Sequence, residues 1–214
     1  FDGREVATTP LKPGTTTLMV DGTERPALNS NGKPIHWSEE GVRNFWRWFS
    51  GSKVVDAQGR PLVVYHGSPD IRFIKEEAIF KSQKDRTGFG RSDAAHWFSS
   101  DPRTAKSYSD PRRAFDYQNS EEGVIESYLR IENPLVFHAD GQEWKTAQKR
   151  GKTSDVIEEA RASSKDGVII NNVRDDYNNS RSTRPTRTFT VFESTQIKSS
   201  TGNTGAFSPT DPDI

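Results

Sequence analysis

The chain has no cysteine among its 214 residues. Disulfides are therefore excluded, and so are a thiolate nucleophile and any zinc site built on cysteine. No apolar run approaches the roughly 18 residues that a membrane-spanning helix needs, so no membrane partner is expected. An excess of one charge is missing too, since 30 Lys and Arg balance 30 Asp and Glu. Long-range attraction then makes no case for a polynucleotide or an anionic surface. With 31% hydrophobic residues against 28% charged, the core must be modest and must hold by packing alone. Phe1 is not an initiator, so the sequence reads as a processed or excised piece whose address signal lies elsewhere.

What is present divides unevenly. Residues 1–37 are rich in Thr, Pro, Gly and Asn and read as an extended arm or linker ahead of a domain over 38–214. "SEEGVRNFWRWFSG" predicts a helix, with Ser38 as N-cap, two glutamates in the first turn and Val42, Phe45, Trp46 and Phe49 along one face. "KVVD" and "PLVVYHG" flank a glycine turn and read as a hairpin that ends at His66-Gly67. Residues 71–92, charged and carrying Gly88 and Gly90, read as a mobile loop. "AAHWFSSDPRTAKSYS" turns from strand to helix at Asp101-Pro102. "GVIESYLRIENPL" reads as a strand that breaks at Pro134, "SDVIEEARASS" as a helix capped by Ser154, and "KDGVIINNV", "RTFTVFE" and "TQIKSS" as further strands. Strands outnumber helices without alternating with them, so the fold class is α+β.

Few segments carry chemistry. Histidines 36, 66, 96 and 138 show no ligand spacing, so no metal site is expected. The one G-x-G, at 88–90, lacks a phosphate-loop lysine, and "RPTR" and "DPRR" are short basic clusters of the solvated kind. His66 closes the most strand-like segment, and Trp97, Phe98 and Tyr108 follow in a strand and the helix after it. An aromatic wall beside a histidine suits a flat cationic ring. The plainer reading is ordinary core, above all for Phe98.

The ordered motifs "VVYHGS", "HWFSSDPRTAKSY", "LRIENPL", "KDGVIINNV" and "FTVFESTQIKSSTGNTGAFSPTDPDI" resemble ADP-ribosyltransferase domains of phage polyvalent and head-morphogenesis proteins and of bacterial toxins. These are distant relatives of the diphtheria-toxin and poly-ADP-ribose polymerase group, and the resemblance covers about residues 41–214. It implies a split β-sandwich of two small sheets with flanking helices, the strands at 53–67 and a strand pair at 187–200 bordering one cleft. It implies NAD as substrate, with His66 on a ribose hydroxyl, the Gly67 backbone on the carboxamide, Tyr108 stacked on nicotinamide, and Ser68, Trp97 and Phe98 beside them. A late-strand glutamate completes the site in the wider group, and the matching position is Thr188. Gln196 and Glu193 are the candidates for that third catalytic role, with Asp175 behind them.

By the same resemblance the chain would transfer ADP-ribose from NAD to a macromolecular acceptor, a protein in preference to a nucleic acid. It would act as a toxin or phage effector in the cytoplasm of a target or host cell, with a neutralising immunity protein plugging the cleft. An NAD glycohydrolase and a degenerate NAD-binding or interaction domain of a phage structural protein are the alternatives. Lys75, Lys81, Lys84, Arg86 and Arg91 in the 71–92 loop are the expected acceptor-reading residues.

Overall fold

The structure, a computed structural model, describes residues 9–77, 80, 95–114, 116, 118–143, 153–175 and 184–211. A hairpin of β1 (Thr17–Val20) and β2 (Thr23–Pro26) turns at Asp21-Gly22 and packs against α1 (Glu39–Phe49). Val20, Ala27 and Ile35 are buried with the α1 side chains, so the segment ahead of residue 38 contributes to the core.

Helix α1 begins where the Ser38 hydroxyl accepts the Gly41 N–H. Its apolar face is wider than the periodicity suggests, because Trp48 is buried along with Val42, Phe45, Trp46 and Phe49. The two indoles bury their rings and still satisfy their N–H groups, Trp46 on the Pro26 carbonyl and Trp48 on the Thr195 carbonyl. At about 2–3 kcal/mol for each large side chain buried, this face holds Val20, Ala27 and Ile35 from one side of the sequence and Phe207 from the other. Phe207, in the turn-rich tail, meets Phe45 edge to face.

The remaining strands form one sheet in the order β6-β7-β8-β4-β3-β5-β9. In chain order they are β3 (Val64–Ser68), β4 (His96–Ser99), β5 (Gly123–Leu129), β6 (Pro134–His138), β7 (Gly167–Val173), β8 (Thr186–Val191) and β9 (Ile197–Ser199). All neighbours are antiparallel except β6 and β7. The sheet's two halves, β6-β7-β8-β4 and β3-β5-β9, are joined by a single registered pair between β3 and β4, Tyr65 with Ser99. The α+β split sandwich expected from the sequence is thus what the strands build. Helices α3 (Pro102–Ser107) and α4 (Thr153–Ala162) cover it, α3 against β3 and α4 against β7.

Several local expectations change. The 71–92 segment opens as a short helix, α2 (Arg72–Glu77), with the Asp70 carboxylate accepting the Arg72 N–H. Residues 81–92, with Lys81, Lys84, Arg86 and Arg91, lie outside the described residues. Pro134 starts a strand instead of ending one. It does so at the first residue of an edge strand, where a missing N–H costs no ladder bond. Ser154 lies inside α4, which begins at Thr153. Strands β8 and β9 are not a pair, for β4, β3 and β5 lie between them.

Candidate active site

Beyond the Tyr65–Ser99 pair, the ladder between β3 and β4 stops, and there His66 takes over the connection. Its Nδ1 lies 2.8 Å from the Trp97 carbonyl oxygen. A carbonyl only accepts, so Nδ1 carries the proton and donates it. In the neutral ring Nε2 is then the lone-pair acceptor. Burial holds His66 below the ordinary histidine range, against the pull of that backbone bond, so the ring is neutral at pH 7. Phe80 meets it edge-on at 5.1 Å and Phe98 lies 5.4 Å away. Phe80 also contacts His96, whose pKa is pushed down to about 4 by burial and then by the nearby His66.

Gly67 faces the other side of the sheet, as strand alternation requires. A Cβ there would meet the Ala105 carbonyl oxygen at 1.7 Å. Only glycine lets α3 lie this close. The helix itself starts at Asp101, whose carboxylate accepts the Arg103 N–H, and Pro102 fills its first position. It ends on Tyr108, whose backbone N–H returns to the same Ala105 carbonyl at 3.0 Å. The glycine thereby fixes the height of the tyrosine above β3.

The Tyr108 hydroxyl donates to Asp175 Oδ1 at 2.5 Å, and the Thr188 hydroxyl donates to Asp175 Oδ2 at 2.9 Å. One carboxylate therefore joins the end of α3 to β8. Asp175 reaches this place through an irregularity in β7. Ile170 pairs with Thr188 but Val173 with Thr186, which puts one extra residue on β7, and Asn172 takes φ +54° within it. The bulge resets the alternation: Val173 joins Val168 and Ile170 on the α4 face, and Asp175, two residues on, shares that face with Thr188.

Other candidates lie elsewhere. Gln196 is consumed by the turn between β8 and β9. Its Oε1 accepts the Phe192 and Glu193 N–H groups, and its Nε2 donates to the Arg130 and Asp166 carbonyls. Glu193 is exposed at the start of that turn. Both line an open basin of about 540 Å³ with Arg130, Arg161 and Lys165, in which neither His66 nor Tyr108 takes part. Phe98 is core, packed with Val64 and Phe189. Trp97 is half-buried on the opposite face. The Ser68 hydroxyl donates to the Asp70 carbonyl and organises the turn after β3. The sequence reading missed the joint hold of Tyr108 and Thr188 on Asp175. Its one outward signal is the Asn171-Asn172 pair inside an apolar strand, a residue type that tolerates the left-handed region a bulge requires.

A family profile described as ADP-ribosyltransferase in polyvalent proteins matches residues 56–207, from the turn before β3 to the tail on α1. The chain belongs to this family. Every element of the split and its surroundings falls within the match, so this is an ADP-ribosyltransferase domain, of a class that uses NAD as substrate. No curated protein matches the chain. No solved structure matches it. Among the described residues of this ADP-ribosyltransferase domain, no group of three or more His, Asp or Glu is placed to hold a metal ion, and no helix is long and apolar enough to cross a membrane.

Proposed function

We propose that the chain is an NAD-dependent mono-ADP-ribosyltransferase whose substrate enters the opening between β3 and β4. The observation that carries this is the His66 ring, fixed across the opening by its Nδ1–H bond to the Trp97 carbonyl. A neutral histidine held in that tautomer offers Nε2 to a hydroxyl donor, as a ribose provides. In this reading a ligand in the opening meets His66 from one sheet face and the Gly67 backbone and Tyr108 from the other. Tyr108, at the end of a helix anchored on Gly67, is suited to cover the nicotinamide, since aromatic faces attract cationic rings.

In the reaction, the bond from ribose C1′ to the nicotinamide nitrogen breaks and its electron pair leaves with nicotinamide, which becomes neutral. Positive charge develops on C1′ and the ring oxygen. The acceptor's lone pair then forms the new bond to C1′, and its proton passes to solvent. The protein's part is orientation and charge stabilisation, in which one well-placed group supplies about 3 kcal/mol.

The acceptor in this reading is a protein, because balanced charge gives no steering toward polynucleotides. Action in the cytoplasm of a target or host cell, and a neutralising partner, rest on the resemblance to toxin and phage domains. The test is adenine-labelled NAD with separated protein and RNA fractions. Label in protein with release of nicotinamide supports the proposal, and label in RNA changes the acceptor class. Free ADP-ribose alone makes the chain a glycohydrolase. Neither label nor nicotinamide overturns it.

A further inference from the structure

We infer that Asp175, delivered by the bulge in β7, supplies the carboxylate that stabilises the ribosyl cation, and that Thr188 is its positioning residue. The inference rests on the transferase reading and deepens it.

Three observations converge. Thr188, the position to which the family resemblance assigns the acid of the wider group, is a threonine, and its hydroxyl donates to Asp175 at 2.9 Å. The second Asp175 oxygen is held by Tyr108 at 2.5 Å, so the carboxylate stands between the residue proposed to cover nicotinamide and the strand where an acid is wanted. And the extra residue at Asn172 is what puts Asp175 on this face, since uninterrupted pairing would turn the position toward the opposite one. The same bulge buries Val173 beside Val168 and Ile170, and Asp175 follows two residues beyond the strand's end. A carboxylate oxygen accepts more than one donor, so beside the Tyr108 and Thr188 hydroxyls Asp175 meets a ribose hydroxyl and faces the positive charge that grows as nicotinamide departs. Its negative charge acts chiefly in the transition state, so its loss falls on turnover more than on binding. The bond changes are those of the transfer itself, and the carboxylate is neither consumed nor protonated overall.

The rival role is purely structural, with Asp175 serving only to hold Tyr108 in place. Asp175→Asn separates the two. An asparagine can accept from Tyr108 through its oxygen and donate to Thr188 through its amide, so these two bonds survive while the charge is lost. Nicotinamide release, NAD affinity by calorimetry and thermal midpoint are measured for the unsubstituted chain, Asp175→Asn and Tyr108→Phe. The expected result is a fall in kcat of about 100-fold for Asp175→Asn with NAD affinity within about threefold, and a smaller fall for Tyr108→Phe. Addition of Thr188→Glu to Asp175→Ala should restore about tenfold of the lost rate, because it puts a carboxylate on the neighbouring strand at the same place. Equal behaviour of Asp175→Asn and Tyr108→Phe, with the loss in affinity or stability, would overturn the inference alone. An unsubstituted chain that releases no nicotinamide would overturn the transferase reading and this inference with it.

Discussion

The carbonyl oxygen of Ala105 occupies the place that a side chain on Gly67 would need, 1.7 Å from an ideal Cβ. The same oxygen accepts the Tyr108 N–H, so relief of the clash must lift α3 and move the tyrosine. Gly67→Ala should cost about 3 kcal/mol, at the upper end for overpacking because backbone and not a flexible side chain must give way. Urea unfolding would report it, and an unchanged midpoint would show that α3 rides loosely on β3.

Acid should loosen the fold before carboxylates titrate. His96 has a folded pKa of about 4 against 6.5 in its ordinary state, and His66 is shifted the same way. The unfolded chain therefore binds protons first as pH falls below 6.5, and stability drops from there to about pH 4. For His96 alone the limit is about 3 kcal/mol. The lowered carboxylates, Asp56 and Asp70, lose their contribution only as pH falls below the ordinary aspartate value. His96→Phe should flatten unfolding free energy between pH 6.5 and 4.5, and an undiminished slope would place the sensitivity elsewhere.

Gln196 and Glu193 should part company on substitution. Gln196→Ala removes two acceptor and two donor contacts to backbone and should cost about 3 kcal/mol, with NAD turnover preserved well below the melting temperature. Glu193→Ala, at an exposed site, should stay within about 0.5 kcal/mol. A large loss of kcat in either variant, with the fold intact, would place a catalytic role in that turn.

The difference between these two residues and Asp175 shows what the sequence could and could not disclose. Helix α1 was legible because its caps and period are local, and so was the turn from β4 into α3, where Asp101 and Pro102 are adjacent. His66-Gly67 was legible as a strand end. The reason for the glycine was not, because Ala105 meets it only after α3 folds back. The third position was read by laying one strand on another in register. A bulge in β7, two strands from β4, then moved an acid 13 residues earlier in the chain onto Thr188. Such a shift depends on one φ angle, at Asn172, which composition and periodicity do not encode.

The tail should matter to stability out of proportion to its composition. Phe207 lies between Phe45 and Trp48 and is 3% exposed, and Asn44 donates to the Gly205 carbonyl. Phe207→Ala should destabilise by about 3–4 kcal/mol as a cavity opens against α1. Thermal denaturation would show it, and a shift of under about 2 °C would mean that the tail is not part of the cooperative unit.

The central claim is that NAD is cleaved at the opening spanned by His66. Nicotinamide release from NAD, measured for the unsubstituted chain and for His66→Ala at matched thermal stability, tests it most directly. The unsubstituted chain should release nicotinamide and the variant should lose about 100-fold in kcat/KM. Release at equal rates from both proteins would contradict the claim.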